Sequence, residues 1–170
     1  MTTGSIATDT ILYTIGHSNH SIEKFLELLR MHGITTIADV RSVPQSRFSP
    51  QFNQRNLQES LSKIGCHYVF RGKELGGKRK EVECQVNGQI DDEKVMSLQI
   101  FQEGCERLLR ETVENRVALM CSEKAPANCH RAYWVSKALC NRLSIVHILA
   151  DGSVIAHEEL EHALTTGKRR

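Results

Sequence analysis

The chain has 170 residues, 40% of them hydrophobic and 25% charged, and a formal net charge of +2. The length suits one domain with a full core, the composition excludes a disordered chain, and the small charge gives no argument for nucleic acid by itself. No apolar stretch approaches the roughly 20 residues that span a bilayer, so no membrane association is expected.

Residues 1–9 are small and polar, with neither a basic n-region nor an apolar h-region. They read as a short disordered lead-in, not a signal peptide. A single domain is expected over 10–165, followed by a C-terminal tail over 166–170. Residues 11–15 form an apolar strand that Gly16-His17-Ser18 ends. Ser21 is a good N-cap for a helix whose Ile22, Phe25, Leu26 and Leu29 keep helical spacing up to Gly33. A strand over 34–40 leads into a polar loop, 41–54, that holds Pro44 and Pro50. Leu57 and Leu61 mark a second helix closed by Gly65, and residues 67–70 a third strand. Residues 71–99 are rich in glycine and charge, have little periodicity, and read as an irregular excursion over the surface.

Phe101, Cys105, Leu108, Leu109 and Val113 define a third helix. Residues 117–121 are a near-continuous apolar run, as for a strand buried on both faces. A helix from Asn128 presents Ala132, Val135, Ala138 and Leu139. A fifth strand covers 144–149, Asp151-Gly152 turns the chain, and a last helix covers about 155–164. This alternation predicts a three-layer, Rossmann-like α/β domain with a mostly parallel sheet of about five strands.

In such sheets ligands bind beyond the carboxyl ends of the strands. The post-strand residues are Gly16, His17 and Ser18; Asp39 and Arg41; Arg71 and Lys73; Cys121 and Glu123; and Asp151. They are expected on one polar rim. The opposite loops, such as His32-Gly33 and Gly65-Cys66, are short and chemically plain. The six cysteines (Cys66, Cys84, Cys105, Cys121, Cys129 and Cys140) lack the spacing of a secreted disulfide scaffold. Reduced thiols and a cytoplasmic location are expected. Cys105 and Cys140 fit helical patterns as small hydrophobes.

Four blocks carry a resemblance: Thr14-Ile15-Gly16-His17-Ser18; Asp39-Val40-Arg41-Ser42-Val43-Pro44-Gln45-Ser46; Leu75-Gly76-Gly77; and Cys121-Ser122-Glu123-Lys124-Ala125-Pro126-Ala127-Asn128-Cys129-His130-Arg131. In this order they resemble the bacterial and archaeal family catalogued as domain of unknown function 488, from about residue 13 to residue 152. The resemblance implies a compact three-layer α/β domain and brings no assigned reaction. Residues 78–98 carry no motif of that family.

Cys129, His130 and Arg131 at a helix start form an electropositive setting that lowers a thiol pKa from its free value of about 8.5 or holds an anion. Cys129 is a candidate nucleophile with His17 or His130 as base; the alternative is a Cys129 packed inward and a His130 that caps the helix. The spacing is not that of a phosphatase loop, because five residues intervene between Cys121 and Ala127 where that loop needs an arginine. A metal held by Cys121, Cys129, His130 and His17 is a weaker reading, since Cys-x₇-Cys-His is not a standard zinc spacing, and no metal residues are assigned.

Glu123 and His17 are the acid–base candidates. Gly16, Ser18, Asp39, Arg41, Ser46, Gly76, Gly77 and Arg131 are the candidates for holding an anionic substrate. Asp39 has the alternative of an ion pair that only fixes loops. Arg41, Arg47, Arg55, Arg71, Lys73, Lys78, Arg79 and Lys80, interleaved with Phe48, Phe52 and Phe70, suit phosphates and stacked bases. The expected function is an enzyme, a hydrolase or transferase, acting on a phosphate-bearing substrate such as a nucleotide or nucleic acid. The alternatives are a non-catalytic nucleotide- or nucleic-acid-binding module and a metal- or thiol-dependent redox protein. No cofactor is implied, and the oligomeric state is open.

Overall fold

The structure is a computed structural model that describes residues 10–167; the expected lead-in and the last three residues of the expected tail lie outside the described residues. Strand β1 (Ile11–Gly16) leads to α1 (Ile22–Met31), β2 (Thr36–Asp39), α2 (Gln54–Ser62) and β3 (His67–Phe70). A short α3 (Gly72–Leu75) follows, then a hairpin of β4 (Gln85–Val86) and β5 (Gln89–Ile90), α4 (Asp92–Ser97) and α5 (Gln99–Glu114). The chain continues through β6 (Val117–Cys121), a wound segment, α6 (Lys137–Leu139), β7 (Ser144–Ile148), β8 (Val154–Ala156) and α7 (His157–Gly167).

The main sheet has six strands in the order β3-β2-β6-β1-β7-β8, all parallel except β8, which runs against β7. Every residue of β2 and β6 is buried, which is why β6 reads as an unbroken apolar run. Alternation sorts their side chains between two cores. Tyr13, Ile15, Ala118 and Met120 pack with α1 and α2 on one face. Leu12, Val117, Leu119 and Cys121 pack with α5, Trp134 and Val135 on the other. The chain therefore leaves the neighbouring strands β1 and β6 towards opposite faces, and a crevice opens between their carboxyl ends.

Local signals explain most boundaries. The Ser21 hydroxyl accepts from the Lys24 amide at 3.1 Å and starts α1. Asp91 caps α4 in the same way at 2.9 Å. Among the described residues no helix is long and apolar enough to cross a membrane.

Four expectations change. The 71–99 excursion is not irregular. Asn87 and Gly88, at φ 52° and 77°, turn the β4–β5 hairpin, and Leu75, Cys84 and Val95 are fully buried in a core, so the segment is anchored. The sheet gains a sixth strand, β8, where a helix was expected to begin, because the Asp151-Gly152 turn returns the chain antiparallel onto β7. The expected helix from Asn128 is instead a 3-10 turn, Pro126–Asn128, followed by a π-helix, Arg131–Ser136. The Cys129 carbonyl accepts from both Ala132 and Tyr133, at 2.9 and 3.2 Å, and the wider winding buries Arg131, Ala132, Trp134, Val135 and Ser136 together. Val113, counted with the apolar side of α5, points to solvent.

Candidate functional site

The crevice is a cavity of about 610 Å³. Its walls include His17 and Ser18 after β1, Arg41 to Val43 and Ser46 after β2, Gly77 and Lys78 from the excursion, and Cys121 to Glu123, Cys129, His130 and Tyr133 after β6. Of the expected rim, His17, Ser18, Arg41, Cys121 and Glu123 line the cavity, while Gly16, Asp39, Arg71, Lys73 and Asp151 do not. Backbone pairing holds it: the amides of His17 and Ser18 donate to the carbonyls of Cys121 and Ser122 at 2.8 and 3.1 Å. Gly16 is required, since a Cβ there would sit 1.8 Å from the Glu123 carbonyl oxygen. Gly77 lets the excursion lie against the His130 ring, where a Cβ would come within 2.8 Å.

One side of the cavity is built on Arg41. Its Nε and Nη2 donate to the two carboxylate oxygens of Asp39 at 2.9 and 2.7 Å, and Nη2 also donates to the Phe52 carbonyl at 2.8 Å. The Tyr68 hydroxyl donates to the same carboxylate at 2.7 Å, and burial, reinforced by Asp39, pushes its pKa up. Asp39 is completely buried and does not line the cavity, so it sits as the ion pair and not as a substrate-facing carboxylate. Arg41 Nη1 reaches His17 Nε2 at 3.4 Å, while His17 Nδ1 donates to the Ser18 carbonyl at 2.8 Å and the ring stacks on Phe52 at 4.4 Å. Burial lowers the His17 pKa to about 4 against the pull of that carbonyl, and Arg41 lowers it further. The ring is neutral near pH 7 and accepts from Arg41.

The other side is built on Arg131, whose side chain is 0% exposed. It was expected at the rim with its guanidinium facing an anion. The π-helical winding turns it inward instead. Its Nε donates to the Thr14 hydroxyl at 3.2 Å, Nη1 to the Glu123 carbonyl at 2.7 Å and to Cys121 Sγ at 2.6 Å, and Nη2 to the Lys124 carbonyl at 3.4 Å. Among the described residues no carboxylate pairs with it. A guanidinium keeps its charge inside a protein, and a buried charge needs compensation. The ionisable group in contact with it is the Cys121 thiol.

Cys129 Sγ lies 2.7 Å from Cys121 Sγ. Burial pushes the Cys121 pKa up, but the hydrogen bond from Cys129 and the charge of Arg131 outweigh it and bring the value down to about 7. The same hydrogen bond, joined by burial, pushes Cys129 up. Of the two thiols, Cys121 is the one whose pKa is lowered, whereas the sequence reading took Cys129 as its candidate nucleophile. His130 donates from Nε2 to the Val40 carbonyl at 3.0 Å and turns Nδ1 towards Cys129 Sγ at 3.8 Å; burial lowers its pKa.

A chain of polar contacts runs outward behind Arg131. Thr14 Oγ1 and His147 Nδ1 are 2.6 Å apart, His147 Nε2 and His157 Nδ1 3.0 Å, and His157 Nε2 and Glu161 Oε1 3.2 Å. Thr14 accepts from Arg131, its hydroxyl hydrogen-bonds with His147 and His147 with His157, and His157 Nε2 faces the exposed Glu161. Burial lowers both histidines, His147 to about 3, so the chain is uncharged between its ends. Sequence reasoning missed Thr14, His147 and His157. The signal was present, because a histidine two places after Ile145 in an apolar strand falls on the buried face.

The remaining candidates are distributed unevenly. Glu123 faces the cavity and is exposed, with its carbonyl engaged by Arg131. Ser46 lines the cavity, and its hydroxyl accepts from the amides of Phe48 and Ser49 at 3.1 and 3.3 Å. Gly76 is packed against Gly72 and Ser42 and does not line the cavity. Asp151 accepts from Ser153 in its own turn and is not at the cavity.

The basic set does not form one face. Arg71 pairs with Glu111, Arg55 with Glu59, and Arg79 with Glu81 and the carbonyls of Glu74 and Lys73. Phe52 is buried and Phe70 half-buried; only Phe48 of the three stands out, 87% exposed, with Arg47 over its ring at 5.4 Å. Lys73, Lys78 and Lys80 are exposed, and Lys78 lines the cavity. Among the described residues no three His, Cys, Asp or Glu side chains gather round a common point as a metal would need.

The family described as "Domain of unknown function DUF488" matches residues 21–138, a stretch that contains the Asp39, Leu75 and Cys121 blocks and begins after the Thr14 block. No curated protein and no solved structure matches the chain. With its four blocks drawn to one end of the sheet and more than half its length matched, the chain belongs to the DUF488 family.

Proposed function

We propose that the protein is a thiol-dependent enzyme, a hydrolase or transferase, that attacks a small phosphate-bearing substrate with the Cys121 thiolate. The observation that carries this reading is the buried Arg131 guanidinium, 2.6 Å from Cys121 Sγ with no carboxylate partner among the described residues. A thiolate is the nucleophilic form of cysteine, and a neighbouring cation stabilises it. The sulfur forms a bond to the electrophilic atom as the bond to the leaving group breaks. Water or an acceptor then displaces the group from sulfur and restores the thiolate. His17 and His130, neutral and tied to carbonyls, shape the cavity, and Glu123 is the exposed carboxyl at its edge.

The wall chemistry supports an anionic ligand. Lys78 and the hydroxyl-bearing Ser18, Ser42 and Ser122 line the same cavity as Cys121. Phe48 does not line the cavity; its exposed ring, in the loop that carries the cavity residues Ser46 and Ser49, favours a ligand that extends past the cavity with a base to stack, that is, a nucleotide. A nucleophile that acts as a free thiolate suits the reducing cytoplasm. The test is protection of Cys121 from alkylation. Inorganic phosphate and a nucleoside monophosphate are expected to slow iodoacetamide labelling of Cys121, the nucleotide more strongly, and Lys78→Ala to weaken both effects. Labelling that neither ligand slows would overturn the assigned substrate class.

A further inference from the structure

Cys121 and Cys129 come from different parts of the site. Cys121 ends β6 on the face shared with Val117 and Leu119, and Cys129 follows the 3-10 turn Pro126–Asn128. Their sulfurs lie 2.7 Å apart, and each residue is 2% exposed at the cavity floor. The intervening residues 122–125 are exposed and free of regular structure, and their carbonyls are held by Ser18 and Arg131, which sets the two sulfurs side by side. Arg131 touches both sulfurs, Cys121 through Nη1 and Cys129 through its backbone amide at 3.5 Å. By contrast Cys66, Cys84 and Cys140 point their thiols at the carbonyls of His67, Glu81 and Lys137.

We propose that Cys121 and Cys129 are a redox-active pair that a small hydroperoxide entering the cavity converts to an intrachain disulfide. The assignment of Cys121 as the attacking sulfur rests on the same Arg131 contact as the proposed function; it needs none of that function's substrate binding. Cys121 attacks the terminal oxygen of the hydroperoxide. An S–O bond forms, the O–O bond breaks, and the departing oxygen takes up a proton to leave as water or an alcohol. Cys121 is then a sulfenic acid. The Cys129 sulfur attacks it, the S–S bond forms, the S–O bond breaks, and the hydroxide leaves with the Cys129 proton as water. Two thiols have lost two electrons and two protons, and the hydroperoxide has gained them.

Both sulfurs open onto the cavity, and a small hydroperoxide reaches them by the same opening as the substrate. Oxidation removes the thiolate, so the same event that records peroxide silences the nucleophile. A thiol reductant restores it.

The experiment treats the reduced full chain with hydrogen peroxide at neutral pH, blocks remaining thiols, and maps the peptides by mass spectrometry. The expected product is a Cys121–Cys129 disulfide, reversed by dithiothreitol, with Cys66, Cys84, Cys105 and Cys140 still reduced. In Cys129→Ser a dimedone probe is expected to trap sulfenic acid on Cys121; in Cys121→Ser neither product forms. Sulfinic acid on Cys121 beside a free Cys129, or a disulfide that prefers another cysteine, would overturn the proposal. The wild-type map decides alone if either variant folds poorly. A disulfide formed in a protein whose Cys121 no phosphate ligand protects would sink the proposed substrate class and leave this inference standing.

Discussion

Two buried arginines brace the walls of the cavity, and the sequence around them gives each a different partner. Arg41 is gripped by both oxygens of Asp39, and Tyr68 completes that carboxylate. Arg131 has two carbonyls, a hydroxyl and a thiol. The first pair is electrically closed and works as a brace that fixes the loop after β2. The second leaves a positive charge for Cys121 to answer, so its chemistry is open. Burial alone does not separate the two arginines; the carboxylate partner does.

The largest effect is expected on the braced side. Arg41→Met leaves Asp39 buried without its cation and is expected to cost about 3–5 kcal/mol of stability by urea unfolding, much of it recovered in Asp39→Leu/Arg41→Met. The contrast predicts that the labelling profile of Cys121 against pH stays in place in whichever of these variants remains folded. If Arg41→Met moves that profile as far as a change at Arg131 does, the two arginines are not distinct.

Acid tests both sides through their histidines. An unfolded chain protonates histidine near pH 6.5, whereas His17 beside Arg41 holds out to about 4 and His147 behind Arg131 to about 3. The unfolded state therefore binds more protons below pH 6.5, and stability falls as pH drops through that window. His17 alone accounts for about 3 kcal/mol of this loss. Urea midpoints are expected to be flat from pH 8 to 7 and to decline steadily towards pH 4, and His17→Phe to flatten the slope. A pH-independent midpoint between 7 and 5 would mean that these rings are not held neutral.

The mildest change probes the chain behind Arg131. Thr14→Val keeps the side-chain shape and removes the acceptor of Arg131 Nε and the hydrogen-bond partner of His147. A loss of about 1–3 kcal/mol is expected for the unpaired groups, with the Cys121 profile shifted upward by less than a pH unit. No shift would make Thr14 and the two histidines packing alone.

Much of the architecture was legible because it rests on periodicity. The unbroken run of β6 and the Ser21 cap both read correctly, and the polar ends of β1, β2 and β6 do meet at one crevice. What failed depended on register or winding. Cys121 and Cys129 are equivalent as letters; pairing of Gly16 with Cys121 and of Thr14 with His147 decides which sulfur meets Arg131. Arg131 itself was taken for a surface group because an α-helical spacing does not reveal a π-helix that buries nearly every position. The basic run from Arg71 looked like a binding face because its acidic partner Glu111 lies far along the chain. The Asn87-Gly88 turn was available in the sequence as a hairpin signal and was read as part of an irregular stretch.

The central claim is that Arg131 holds Cys121 as a thiolate, and site-resolved alkylation across a pH series measures it directly. In the native protein, Cys121 labelling is expected to reach half its maximal rate near pH 7. In Arg131→Met the midpoint is expected to move above the free-thiol value of about 8.5. A native midpoint at or above the free-thiol value, or one that Arg131→Met leaves unchanged, would contradict the account.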